Sequence, residues 1–261
     1  MPFILAADSP SDRNAKIDVR QPKSDIPAGV KERTVRPYKE VRSETKTKWI
    51  GPSSFIQLEI RECVSRGKVV GQRSYDAEGR LSIETPLKDG KKHGSVVEYY
   101  DNGEIHSVEP YFEGMMHGTA KQYDARGRII GTYKMTHGTG YDVWRNQFPG
   151  GPVYVSEIHP MRAGLPHGFE WWLNEDQQSV HEEKHWFNGQ WHGIERDWNY
   201  ERKLSRGYPK YWVRDKSVTK RQYIAAARKD PTLPPFRLKD NLSKREFPRE
   251  IRRLLNVPKK K

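Results

Sequence analysis

One phrase recurs along this chain and limits what it can fold into: a large apolar residue followed by x-x-G-x-x-H-G. It stands at LKDGKKHG (87–94), YFEGMMHG (111–118), MRAGLPHG (161–168) and WFNGQWHG (186–193). A shorter copy, YKMTHG (133–138), lacks the first glycine. Successive His-Gly pairs are 24, 20, 30 and 25 residues apart. A unit this short cannot bury a face by itself and must stack on its neighbours.

Five residues beyond each final glycine stands an apolar side chain: Tyr99, Tyr123, Val143, Leu173 and Trp198. Asp101-Asn102-Gly103 and Asn188-Gly189 are sequences that hairpin turns favour, because glycine accepts positive φ. The segments between, such as SVVEYY and TAKQYD, have the length of short strands. The expected fold is therefore all-β, an elongated antiparallel β-meander of repeated hairpins. Its structural positions are Gly90, His93 and Gly94; Gly114, His117 and Gly118; His137 and Gly138; Gly164, His167 and Gly168; and Gly189, His192 and Gly193. Each of these imidazoles is expected to hydrogen-bond the backbone of a neighbouring hairpin. The pattern weakens through GTGYDVWRNQFPGGPVYVSEI, which reads as a truncated copy with an inserted loop.

Three domains follow from the patterning. Residues 1–47 are polar, dotted with Pro and Ser, and read as a disordered arm. Residues 48–205 form the repeat domain, opening with FIQLEIRECV, where Ile56, Leu58 and Ile60 alternate with polar residues. Residues 206–261 read as a basic, Pro-containing helical extension. One short helix is expected in SVTKRQYIAAARKDPTLPPF, stopped by its prolines, and another in FPREIRRLLNV.

Charge is divided along the same lines. Residues 49–201 carry 16 basic and 22 acidic side chains, whereas residues 202–261 carry 20 basic and 5 acidic. The acidic body and basic tail are suited to pack on each other, and sheet ends need covering. The same tail suits an anionic partner, nucleic acid or acidic lipid, with Arg249, Arg252 and Arg253 flanking an apolar stripe. Cys63 is the only cysteine, which excludes an intramolecular disulfide and multi-cysteine metal sites. No apolar run approaches the roughly 20 residues a spanning helix needs, so the chain is not expected to be transmembrane. A cytoplasmic location is expected. A start lying upstream, with an export signal, would leave the same apolar remnant at MPFILAADSP.

HEEKHWFNGQWHG (181–193) raises a different possibility. His181, Glu182 and His185 match H-E-x-x-H, in which a helix brings two histidines onto one zinc, and His192 could serve as a third ligand. In a strand, the two histidines would stand about 13 Å apart and could not share an ion. The repeat itself supplies Gly189 and His192, and three residues rather than two separate His185 from the glycine. A strand is therefore expected here, with no cofactor and no catalytic residue. The zinc hydrolase remains the remote alternative. Trp171, Trp172 and Trp191 are candidates for a partner surface; Trp171 and Trp172 are adjacent, so a strand sends them to opposite faces.

The stretch EYYDNGEIHSVEPYFEGMMHGTAKQYDARGRI (98–129), with WFNGQWHG, resembles the MORN-type repeat in the bacterial variant found in YwqK-family antitoxins. The resemblance covers about residues 73–205. It implies a repeat scaffold that binds a protein partner and has no catalytic residues to transfer. Two functions are thus expected: a non-catalytic protein-interaction scaffold, antitoxin-like if its partner is a toxin, or an anion binder acting through the basic tail.

Overall fold

The structure, a computed structural model, describes residues 24–36, 59–148, 150–241 and 245–256. Among them, twenty strands are hydrogen-bonded into one antiparallel sheet that follows chain order as a meander, except that the last, Arg245–Glu246, pairs back on Ser179 and Val180. Two short helices follow, α1 (Lys220–Ala227) and α2 (Arg249–Leu255).

Two kinds of turn set the architecture. Along one edge lie two-residue turns whose central residues both have positive φ, as at Asp89 (51°) and Gly90 (76°). This turn type twists with the strands it joins. Along the other edge, an Asp or Asn side chain caps a longer turn. Asp124 Oδ1, for example, accepts from the backbone N–H of Arg126 and Arg128.

The tight turns also define the true repeat. They fall at Gly90, Gly114, Gly138, Gly164 and Gly189, which are 24, 24, 26 and 25 residues apart. His137-Gly138 is thus the turn dipeptide itself, equivalent to Glu113-Gly114 rather than to His117-Gly118. The uneven 20- and 30-residue intervals came from matching the wrong pair. The stretch read as an inserted loop is also sheet: Thr139–Gln147 pairs along its length with Val153–Arg162.

Two domain limits shift as well. Lys31–Arg36, inside the stretch read as disordered, is a strand paired with Glu59–Ser65, and Ile26 is buried. Residues 1–23 and 37–47 of that arm, with Ile56 and Leu58, lie outside the described residues. Past residue 205, where the extension was placed, the sheet goes on: Lys210–Val213 pairs with Gly193–Glu195, and Lys216–Val218 closes a last hairpin.

The tail then folds back over one face. Thr219 caps α1 through a reciprocal capping box with Gln222, and Tyr223 packs with Ile194, Tyr211 and Leu233. Phe247 and Ile251 join the main core around Ile158, Trp171, Val180 and Trp198. A buried ion pair fastens this cover: Arg196 lies 2.5 Å from Glu183, Asn241 accepts from Arg196 Nε, and Arg245 reaches Glu183 from the tail. Burying this apolar surface favours docking at roughly 25 cal/mol per Å2.

Candidate functional site

Strand register assigns the side chains to faces. Directly paired residues in an antiparallel sheet project on the same side. Ile158 pairs with Trp171, Trp171 with Glu183, and Glu183 with Arg196. That is the face the tail covers. On the other face Asp142 pairs with His159, Trp144 with Glu157, Glu157 with Trp172, and Glu170 with Lys184. Trp186 and Trp191 continue this lane, and Trp191 meets Trp212 edge-on at 4.4 Å. Among the described residues, neither helix packs there.

A groove opens on this second face, and the reason is local. In the other repeats a hairpin pairs beside its tight turn, skips the His-Gly, and pairs again. Leu87 with Lys92 and Lys88 with Lys91 are followed by Ile83 with Glu98 and Glu84 with Val97. Between Ile129–Thr136 and Thr139–Gln147 only Met135–Gly140 and Thr136–Thr139 pair. This copy has no His-Gly after its turn, and its strands splay. Side chains occupy the gap: Gln122 accepts from Arg145 N–H, and the Arg145 guanidinium donates to the Thr132 and Val143 carbonyls.

Two adjoining pockets, of about 240 and 190 Å3, share Asp142 and Met161. The Tyr133 hydroxyl donates to Glu109 at 2.8 Å and also hydrogen-bonds Asp142. Burial pushes both carboxyl groups above their ordinary range, and for Glu109 the nearby Asp142 adds to it. Asp142 Oδ1 is enclosed without a hydrogen-bond donor. His159 is held between carboxylates, with Nδ1 2.5 Å from Glu170 and Nε2 3.0 Å from Glu157. Burial alone would depress its pKa, but those two hydrogen bonds together with the charges of Glu170 and Asp142 outweigh it and push it up to about 10. His159 is therefore an imidazolium at neutral pH. Trp172 packs edge-on against it at 5.7 Å, and Lys184 Nζ sits 4.6 Å above the Trp172 ring.

The residues singled out by sequence lie elsewhere or play other parts. His181, Glu182 and His185 sit in strand Ser179–Phe187, so Glu182 faces away from both histidines. His185 Nδ1–H donates to the His192 carbonyl, and burial lowers its pKa to about 4. His192 in turn bonds Thr232 and accepts from Arg214 N–H. The four zinc candidates do not converge. Among the described residues, no group of three or more His, Cys, Asp or Glu side chains could hold a metal.

The repeat histidines tie neighbouring hairpins together. His93, His117 and His167 donate their backbone N–H to the Pro86, Pro110 and Pro160 carbonyls. The Nδ1 atoms of His117 and His192 accept from the first turn residue of the next hairpin, His137 and Arg214, and His167 Nδ1 hydrogen-bonds the side chain of Asn188 at the equivalent place. Gly90, Gly114, Gly164 and Gly189 form the tight turns, while Gly94, Gly118, Gly168 and Gly193 follow the histidines at positive φ.

Trp171, proposed for the surface, is 3% exposed and belongs to the core; Trp172 and Trp191 are half-buried on the open face. Arg249 and Arg253 are exposed on α2, and Arg252 pairs with Glu246. No family model, curated protein or solved structure matches this chain. Sequence reasoning missed Glu109, Asp142, Trp144, Glu157, His159 and Glu170. The one signal available was the alternation Glu157, His159, Met161, which marks a strand face but gives no partner for it; a register shift at Ser156 turns Val155 to the covered face.

Proposed function

We propose that this chain is a non-catalytic protein-interaction scaffold whose docking surface is the open sheet face. One observation carries the reading: the tail covers one face around Ile158, Trp171 and Glu183, while the opposite face there keeps a groove lined by aromatic rings and carboxylates. Aromatic side chains beside buried polar groups are what binding surfaces concentrate. The chemistry of the groove also supports a non-catalytic role, because both ring nitrogens of His159 are engaged by carboxylates and neither can serve as a base. An antitoxin-like role, suggested by the MORN-type resemblance, would have this face mask a toxin surface.

The exposed Arg249 and Arg253 favour a second reading, anion binding through α2. Affinity capture from host extract separates the two. The full chain is compared with Trp172→Ala/Glu157→Gln on the open face and Arg249→Glu/Arg253→Glu on the tail. Loss of a nuclease-resistant protein partner with the open-face pair alone is expected. Loss with the tail pair alone, abolished by nuclease, would move function to the tail.

A further inference from the structure

We infer that the open face docks a Lys- or Arg-rich, extended segment of a protein partner, with one cationic side chain seated at Asp142. The inference rests on the scaffold reading and names the chemistry of the partner.

One carboxylate oxygen of the groove lacks a donor. Tyr133 has one hydroxyl proton and stands between two largely buried carboxyl groups, so it can satisfy only one of them at a time. Asp142 Oδ1 is left with no donor. Tyr111 also donates to Glu109, and Trp144 and the His159 imidazolium also act on Asp142, yet Oδ1 keeps no donor; an ammonium or guanidinium arriving in the adjoining pockets adds charge and N–H groups beside it. The adjoining walls fit the rest of such a side chain. Met116, Met135 and Met161 line the pockets beside Asp142, and the methylene stems of Lys and Arg pack on apolar surface of this kind.

The face already holds a cation in this way. Lys184 reaches across from strand Ser179–Phe187, sets its ammonium over Trp172, and pairs with Glu182 at 2.7 Å. Trp144 lines the groove beside Asp142 and offers a further ring. By register, carboxylates on this face outnumber cations. Glu98, Glu109, Asp142, Glu157, Glu170 and Glu182 are opposed by the imidazolium of His159, itself held by two of them, and by Lys184, which pairs with Glu182. An acidic face of this composition attracts a cationic segment and repels nucleic acid. From the Glu109 strand to the Glu170 strand there are five strand steps, about 24 Å at 4.8 Å each, the length of about seven extended residues.

The test is titration of the full chain with an eight-residue peptide of alternating Arg and Ala, read by tryptophan fluorescence and calorimetry. The comparisons are the same peptide with Glu for Arg, and one with Leu for Arg. Glu109→Gln/Asp142→Asn removes two carboxylates from the groove. Glu78→Gln/Asp101→Asn removes two from exposed turns and leaves overall charge matched. Expected are binding of the Arg peptide only, about tenfold or greater loss with the groove pair, none with the turn pair, and weakening as salt rises. The groove pair relieves buried charge, so circular dichroism should show it folded. Equal loss with both pairs, or equal binding of the Leu peptide, would overturn the inference. A captured partner that needs Trp172 but ignores the groove pair would overturn it too, while leaving the scaffold reading standing. A protein capturing no partner through this face would remove both.

Discussion

The hairpins that turn at Gly114 and at Gly138 are neighbours, and their strands behave oppositely. After Gly114 the chain makes His117-Gly118 and pairs again, Ser107 with Gln122 and Val108 with Lys121. After Gly138 there is no such His-Gly, and pairing stops two residues from the turn. The difference shows what the recurring histidine does. Its N–H holds the preceding strand, its imidazole holds the next turn, and together they keep adjacent hairpins closed. Where the histidine is missing, the sheet opens and carboxylates collect in the gap. A native fold keeps a buried like-charge pair at a cost in stability, and such costs gather at functional sites.

The largest effect should separate the two turns directly. A Cβ at Gly138 would lie 2.3 Å from the backbone nitrogen of Gly164, whereas one at Gly90 would meet nothing within 4 Å. Both glycines have positive φ, so alanine strains either turn by about 1–2 kcal/mol. At Gly138 the clash with the next turn adds to this. Gly138→Ala should cost about 3–4 kcal/mol in urea unfolding and Gly90→Ala about 1–2. Equal losses would mean that the turns are not stacked as described.

A smaller change of opposite sign is expected at Asp142. Its carboxyl pKa is raised in the folded state, so its contribution to stability is lost as pH rises above the ordinary carboxylate range. Asp142→Asn should therefore stabilise the protein by about 1 kcal/mol at pH 7, with little gain at pH 4. Destabilisation at pH 7 would show that the carboxylate is structurally satisfied.

The smallest effect concerns two histidines of opposite character. His159, with its pKa raised to about 10, contributes stability that is full below about pH 6.5 and is lost as pH rises through 10. His185, lowered to about 4, is the reverse: stability falls as pH drops from about 6.5 towards 4. His159→Gln should flatten the alkaline limb of a Tm–pH profile and leave the acid limb alone. Parallel profiles for variant and parent would contradict the pairing with Glu157 and Glu170.

How far these features could be read in advance depends on their range. The meander, the tight turns and the start of α1 at Thr219 are written in local sequence, as turn glycines, alternation and a cap. Lys31–Arg36 was not legible, since all six residues are exposed and show no alternation; only pairing to Glu59–Ser65 makes it a strand. The splayed copy was misphased because His137-Gly138 imitates the His-Gly pair while occupying the turn. Adjacent Trp171 and Trp172 had to face opposite ways, but which one is covered depends on residues 245–256, distant in sequence. Asp142, His159 and Glu170 lie on three strands, and register alone assembles them.

The most direct measurement is hydrogen–deuterium exchange of the full chain, resolved to short peptides. The strand edges facing the gap, within 132–134 and 141–146, should include amides that exchange well ahead of those in 107–109 and 120–122. Adding the alternating Arg peptide should slow exchange in the first group and leave α1 unchanged. Uniform protection across both hairpins, with no response to the peptide, would mean that the sheet is continuous at Gly138 and that the groove is not a docking surface.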